Sequence, residues 1–261
     1  MKMFNLIGGN TTNSLSPYIY NFIFHSLEIS AKYNTVNIDR AFNCNKIIKK
    51  IRLGFLEGIN VTNPYKISIM KDLDILDSAA KNIGATNCIA LNQNNQVCGY
   101  NTDWVGFTQM VTNYKINFKN KKIKIIGYGG AAFAVKYALE NMGFSKIEFY
   151  NRKKIGFDVL DLAKSLDEQS LVINATPYHF IENDLLIFDK IKTMELVWID
   201  LLYTKLSTEK EQEIEKNRYF YGLDMLIYQA LASIDIWFRK NISKNVDLNG
   251  LKLYLKEVID A

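Results

Sequence analysis

Lys122 to Ile126 is a short apolar strand pattern that runs into Gly127-Tyr-Gly-Gly-Ala-Ala132 and then into a helical pattern from Ala131 to Met142. Glycines in such a turn let the backbone bend tightly and approach a pyrophosphate, which the helix N-terminus then attracts. The string departs from a full G-x-G-x-x-G at Ala132, so a tight turn in another α/β fold is the competing reading. Gly143 is the expected C-cap of the helix, and Ile147 to Tyr150 is the expected next strand. Leu171 to Ile173 and Val197 to Leu201 follow as buried strands. Alternating βα units of this kind imply a parallel, doubly wound sheet.

The second of these strands ends in Tyr150-Asn-Arg-Lys-Lys154. An acidic residue about 20 positions beyond the glycine loop would hold a ribose 2′-hydroxyl; here Asn151, Arg152 and Lys153 occupy the region and no acid does. The chain uses Arg five times against 27 Lys, so a guanidinium at this turn favours a 2′-phosphate, and hence NADP over NAD. A solvated basic turn is the alternative. The next strand ends in Asn174-Ala-Thr-Pro177. Asn174 and Thr176 there either line a nucleotide crevice or serve the turn itself.

Residues 1 to 103 show a different mixture. Strand patterns fall at Phe4 to Gly8, Tyr33 to Ile38 and Phe55 to Val61, with helices at Pro17 to Leu27 and Asn43 to Arg52 and a further helix opening at Tyr65 to Lys71. Thr86 to Leu91 and Gln96 to Tyr100 flank Asn92-Gln-Asn-Asn95, a hairpin signal. Lys115 to Lys122 is a polar connection, and Trp104 to Val111, Met225 to Phe238 and Leu248 to Ile259 are helical. A length of 261 residues allows two domains. With 48% hydrophobic and 23% charged residues the chain can bury a sizeable core. The net charge of +5 comes from scattered bases, which does not make a nucleic-acid protein. No apolar run approaches the roughly 20 residues that span a bilayer, and the amino terminus has no signal-peptide pattern. Cys44, Cys88 and Cys98 lack metal or disulfide spacing, and His25 and His179 are far apart. No metal is expected, and the starting expectation is a cytoplasmic enzyme.

Four polar strings in this part remain to be accounted for. In Ser14-Leu-Ser-Pro17, Ser16 fits an N-cap before Pro17, while Ser14 and Ser16 together suit a small carboxylate. Asn60-Val-Thr-Asn-Pro-Tyr-Lys66 places Asn60 and Thr62 on one face. Lys66 then falls in the first turn of the expected helix, where a cation opposes the macrodipole. A surface lysine and a general acid or base are both open readings. Gly84-Ala-Thr-Asn87 and Gly99-Tyr-Asn-Thr-Asp103 bring Asn87 and Asp103 close to strand ends, and Asp103 also fits an N-cap.

Taken in order, these strings resemble the shikimate dehydrogenase family, whose patterns S-x-S-P, N-V-T-x-P-x-K, G-A-x-N and G-x-N-T-D they match. The glycine loop, the Asn151-Arg152 turn and Asn174-Ala-Thr-Pro177 follow in the family's order. So do Asp200-Leu-Leu-Tyr203 with Thr208, and Gly222-Leu-Asp-Met-Leu-Ile-Tyr-Gln229 with Trp237. The resemblance implies a substrate and catalytic domain over residues 1–103, completed by 225–261, and a Rossmann-type NADP domain over 104–224. It implies Lys66 and Asp103 as the catalytic pair. Ser14, Ser16, Asn60, Thr62, Asn87, Tyr203 and Gln229 would join them in holding shikimate or 3-dehydroshikimate. NADP would lie on Gly127, Tyr128, Gly129, Gly130, Ala131, Asn151, Arg152, Lys153 and Thr176, with Leu201, Gly222 and Met225 beside its nicotinamide. The expected protein is a monomer or homodimer, with a crevice between its lobes. Competing readings are a quinate/shikimate enzyme of broader specificity and a silent NADP-binding paralogue.

The departures from the family are local. Lys153 replaces a common Thr, Tyr178-His179-Phe180 replaces a usual V-G-M, Tyr203-Thr-Lys205 replaces Y-N-P, and Ser78 stands where many members carry a carboxylate. The collected side chains are mostly neutral hydrogen-bonders with one Lys–Asp pair, which suits a ligand with three hydroxyls and one carboxylate.

Overall fold

A computed structural model describes residues 1–39, 44–151, 158–214 and 218–260. The chain divides into two compact units, Met1–Gly106 with Ile227–Ala261, and Phe107–Leu226.

The first unit contains β1 (Lys2–Gly8), α1 (Ser16–Ser26), β2 (Ala31–Asn37), α2 (Asn45–Arg52), β3 (Gly58–Val61), β4 (Ile75–Leu76), α3 (Ser78–Ile83), β5 (Cys88–Leu91) and β6 (Val97–Tyr100). α4 (Asp103–Asn113) leads out of it. Its six-stranded sheet has the order β2-β1-β3-β5-β6-β4. β1 pairs in parallel with β2 and β3, whereas β5 is antiparallel to both β3 and β6. The β5–β6 hairpin turns where expected, with Asn92 Oδ1 accepting from the amides of Asn94 at 2.9 Å and Gln96 at 3.0 Å.

Alternation along β1 sends side chains to two cores. Ile7 joins Ile47, Ile48, Ile51, Ile59 and Val97 on one side. Phe4 joins an aromatic stack on the other, its ring 4.6 Å from Trp237 and 5.4 Å from Phe24. Trp237 donates from Nε1 to Ile89 O at 3.3 Å. It fits because Gly58, opposite Phe4, has no side chain: a Cβ there would lie 2.3 Å from the indole.

The second unit follows with β7 (Lys122–Ile126), α5 (Gly130–Asn141), β8 (Ile147–Tyr150), α6 (Val159–Ser165), β9 (Ser170–Asn174), α7 (Phe180–Asn183), α8 (Leu185–Thr193), β10 (Val197–Asp200), α9 (Thr208–Glu213) and β11 (Tyr219–Tyr221). α10 (Leu223–Phe238) returns the chain to the first unit, which α11 (Leu248–Asp260) completes. The sheet order is β11-β10-β9-β7-β8 and every pairing is parallel, so the α/β class and the doubly wound sheet are as expected. Register aligns Tyr150, Ile126, Asn174, Asp200 and Tyr221 in one row at the carboxyl ends of the strands. That edge is where open parallel sheets bind ligands. Among the described residues no helix is long and apolar enough to cross a membrane.

Three local expectations are corrected. Phe55 is 67% exposed and β3 starts only at Gly58. No helix opens at Tyr65: Lys66 lies in a turn, its carbonyl taken by the amide of Thr86 at 2.8 Å, and a short 3-10 turn begins at Ser68. The macrodipole argument about Lys66 therefore does not apply. Ser16 is the first residue of α1 and not its N-cap, a place taken by Leu15 with no side-chain cap; Ser14 Oγ accepts from the amide of Ser16 at 3.2 Å.

Gly58→Ala is expected to lower the unfolding free energy by about 1–3 kcal/mol, the usual cost of forcing extra volume into a packed core. A lower urea midpoint at unchanged slope would show it.

Candidate active site

The segments after two strands, β3 and β6, meet in the first unit to build a charged pair. After β3 the chain is tied back to β1 by the amide of Thr62, which donates to Ile7 O at 2.9 Å. That tie and the Lys66–Thr86 backbone contact fix the turn from which the Lys66 side chain extends. After β6, Asn101 steadies the next turn: its Nδ2 donates to Ala85 O at 2.9 Å and its Oδ1 accepts from the amide of Asp103 at 3.0 Å. Lys66 Nζ then stands 2.7 Å from Asp103 Oδ2, with the two side chains only 18% and 8% exposed. Asp103 is the first residue of α4 and does not act as its N-cap; Oδ1 instead accepts from Asn87 Nδ2 at 2.7 Å.

A wholly buried polar layer lies beneath the pair. Asn87 Oδ1 accepts from the amide of Thr102 at 2.7 Å, and its Nδ2 also reaches Gln229 Oε1 at 3.3 Å. Asn60 accepts from the Tyr33 hydroxyl at 2.8 Å and donates to Asn87 O at 3.1 Å and Ser233 Oγ at 3.2 Å. Ser233 Oγ lies 3.0 Å from Thr102 Oγ1. Burial pushes the Tyr33 hydroxyl well above its ordinary value, so it remains a neutral donor. Asn60, Asn87 and Gln229 thus come together with Lys66 and Asp103, the two asparagines already bonded to protein. Tyr33, Thr102 and Ser233 were missed by sequence reasoning. Tyr33 sits in a period-two strand pattern that looks like plain core, whereas Ser233 in an apolar stretch of α10 was a readable signal.

Ser14 lies on the turn between β1 and α1, and Ser16 opens α1. That turn is braced by Thr11, whose amide and hydroxyl both donate to Asn37 Oδ1 at 2.7 Å. Asn37 closes β2, and neither it nor Thr11 was singled out from sequence.

The second unit carries the remaining expected residues. Gly127 has φ +117°, and a Cβ on it would lie 3.1 Å from Ala175 O. This is backbone that glycine adopts freely and other residues do not. Gly129 caps α5 in extended backbone, with open space where a Cβ would stand. The loop thus leaves room beside a twelve-residue helix's N-terminus, a cradle that fits a pyrophosphate. Tyr128 is 43% exposed and its ring packs edge-on to Phe133 and Phe149. Gly130 and Ala131 open α5, and Asn151 directly follows β8. Arg152 and Lys153 lie outside the described residues.

Thr176 is occupied in the turn, its amide at 3.0 Å and hydroxyl at 2.7 Å from Asn174 Oδ1. Gly222 is needed for close approach, since its Cβ would fall 2.3 Å from Leu201 O. Leu201 and Tyr203 follow β10 half-buried, and Met225 is buried on α10.

Residues 6–89 match a family model described as the shikimate dehydrogenase substrate binding domain. The shikimate dehydrogenase (NADP(+)) of Saccharolobus solfataricus is 32% identical, over 99% of this chain and 96% of its own length. The crystal structure of shikimate dehydrogenase 1 from Peptoclostridium difficile matches with a TM-score of 0.81 at 29% identity, over 99% of this chain and 98% of that one. A shikimate dehydrogenase solved in complex with NADP+ matches with a TM-score of 0.78 at 30% identity, over 99% of this chain and 96% of that one.

Asn87→Leu keeps the branched side-chain shape but strands Asp103 Oδ1 and the Thr102 amide. At about 1–3 kcal/mol for each buried group left unpaired, a loss of about 2–6 kcal/mol is expected from urea unfolding at neutral pH.

Proposed function

Because the chain belongs to the shikimate dehydrogenase family and is an NADP-dependent oxidoreductase acting on a CH–OH group, we propose that Lys66 and Asp103 manage the proton as 3-dehydroshikimate and shikimate interconvert. The contact of 2.7 Å between Lys66 Nζ and Asp103 Oδ2 carries this reading. Reducing a ketone develops alkoxide character on its oxygen, and a donor within hydrogen-bond reach must supply a proton there. Lys66 has three N–H donors; Asp103 takes one and leaves others for the substrate oxygen. Asp103, pinned at Oδ1 by Asn87, orients the ammonium and accepts from a substrate hydroxyl.

Ser14 and Ser16 hold the carboxylate through their hydroxyls. Thr62, Tyr203 and Gln229 bond the ring hydroxyls, while Asn60 and Asn87 serve the substrate chiefly by fixing Thr102 and Asp103. NADPH, when bound, supplies the hydride. Gly127, Tyr128, Gly129, Gly130 and Ala131 would cradle its pyrophosphate, and Asn151, Arg152 and Lys153 its ribose and 2′-phosphate. Thr176, Leu201, Gly222 and Met225 would border the nicotinamide. The substrate is a small molecule, and the enzyme acts as a monomer or homodimer over the domains 1–103 with 225–261, and 104–224. All three cysteines are free thiols and buried, which supports a reducing, cytoplasmic setting.

Following NADPH absorbance with shikimate and NADP+, Lys66→Gln and Asp103→Asn are each expected to lower kcat by about 10²–10⁴-fold, the range of general acid–base catalysis. Undiminished turnover in Lys66→Ala would sink the assignment. Gly127→Ala is expected to weaken NADP+ binding about tenfold by calorimetry, since left-handed strain of about 1–2 kcal/mol converts to that factor.

A further inference from the structure

The mechanism leaves unused the string Tyr178-His179-Phe180, where the chain departs from its family. His179 lies just before α7, and its Nε2 is 3.1 Å from Thr204 O and 2.9 Å from Thr204 Oγ1. Its Nδ1 faces Asp200 Oδ2 at 3.7 Å, shielded from solvent and without a hydrogen bond. Asp200 is fully buried, and its Oδ1 accepts from the Leu202 amide and Asn174 Nδ2, each at 3.1 Å. Further along, Leu202 O accepts from the Gly222 amide at 2.8 Å, and Leu201 N donates to Asn174 O at 3.0 Å. The segment Leu201–Thr204 is thus held by backbone contacts at its start and by His179 at its end, with Tyr203 between.

We propose that His179 is a positioning residue which, with Asp200, forms a one-proton latch holding Leu201–Thr204, and with it Tyr203, in the form that receives substrate. The proposal rests on the assignment of Tyr203 to the substrate. A carbonyl only accepts, so the contact with Thr204 O requires the hydrogen on Nε2. In the neutral ring Nδ1 then aims a lone pair at the Asp200 carboxylate. One proton between the two groups removes that conflict. Burial also pushes the Asp200 carboxyl up, to about 6.

Other ionisable groups surround the latch. Glu182 on α7 is held below the usual carboxylate range by its bond from the Ser207 amide. Lys210 on α9 donates to the carbonyls of Ile181 and Glu182. Tyr219 on β11 reaches Asp200 Oδ2 at 3.5 Å, and burial raises its hydroxyl far above the ordinary range, so it stays protonated. The titrating proton therefore belongs to the His179–Asp200 pair. It is present at lower pH and lost as pH rises, so the latch loosens on the alkaline side.

The test uses the full chain. It has two histidines, so His25→Gln leaves His179 as the one ring seen by long-range ¹H–¹⁵N NMR of the ligand-free protein. The expected result is a hydrogen on Nε2 and an Nδ1 resonance that shifts in Asp200→Asn, which removes the facing carboxylate. In kinetics, His179→Ala is expected to raise KM for shikimate about tenfold while kcat changes less than about threefold, with KM of the unaltered enzyme rising toward alkaline pH. His179→Gln, which restores the Thr204 contact without a titrating group, is expected to recover most of KM and to abolish that rise. An Nδ1 resonance indifferent to Asp200→Asn, or an unaltered KM in His179→Ala, overturns the latch. Tyr203→Phe separates the two levels. If it leaves KM unchanged while the NMR coupling persists, the Tyr203 assignment and the positioning role fall although the proton is shared.

Discussion

A carboxylate with almost no access to water must have both oxygens answered, and at Asp103 that requirement organises the whole first unit. Lys66 answers one oxygen and Asn87 the other. The orientation of Asn87 is not free: the Thr102 amide can only donate, so the oxygen of Asn87 turns toward Thr102 and its nitrogen toward Asp103. The backbone at the end of β6 thereby decides which group faces the carboxylate. A mixed sheet makes this possible. The antiparallel β5–β6 hairpin returns the chain so that Asn87 and Asp103 flank the same edge, and parallel β3 delivers Lys66 to it.

The layer below is polar in a place where apolar packing would be simpler. Asn60, Ser233, Thr102 and Tyr33 satisfy one another, and a satisfied buried network holds a single arrangement because any displacement strands a donor or acceptor. The aromatic stack of Tyr20, Tyr33 and Trp237 closes over it, with rings 4.2 and 5.0 Å from Tyr20. Rigidity under the lysine–carboxylate pair matters for the proposed proton transfer, whose rate depends on holding donor and acceptor within hydrogen-bond reach.

Much of this was legible in the sequence, for physical reasons that differ by element. The parallel strands of the second unit show as apolar runs because both faces are covered, and Gly127 was readable because only glycine takes its backbone conformation. Lys66, Asp103, Asn87 and Gln229 were found as motif members, and the structure brings them together. Their local settings were not legible. Lys66 after Pro64 imitates a helix start, and only the long-range bond to Thr86 shows that its carbonyl is elsewhere. Ser16 before Pro17 imitates a cap, yet it lies inside the helix and Ser14 Oγ meets its amide. Tyr33 and Asn37 depend on partners some 26 to 27 positions away, which no local pattern encodes.

Asp200 poses in the second unit the problem that Asp103 poses in the first, with a different solution. No lysine or arginine contacts it among the described residues, and amide donors carry most of the load. Those donors belong to the last residue of β9 and the turn after β10, so one buried carboxylate ties together the starts of the two loops expected to border the cofactor. The family pattern needs nothing more at this point, and a glycine in place of His179 would leave Asp200 to its amides. A histidine there adds a further contact to the same carboxylate, beside the Tyr219 hydroxyl, and makes that tie depend on a proton. A buried acid that is raised by desolvation is less stable ionised, so its contribution is full at low pH and is lost as pH climbs through about 6. An imidazole that carries its proton toward that carboxylate opposes the loss, which gives a physical reason for histidine at this position.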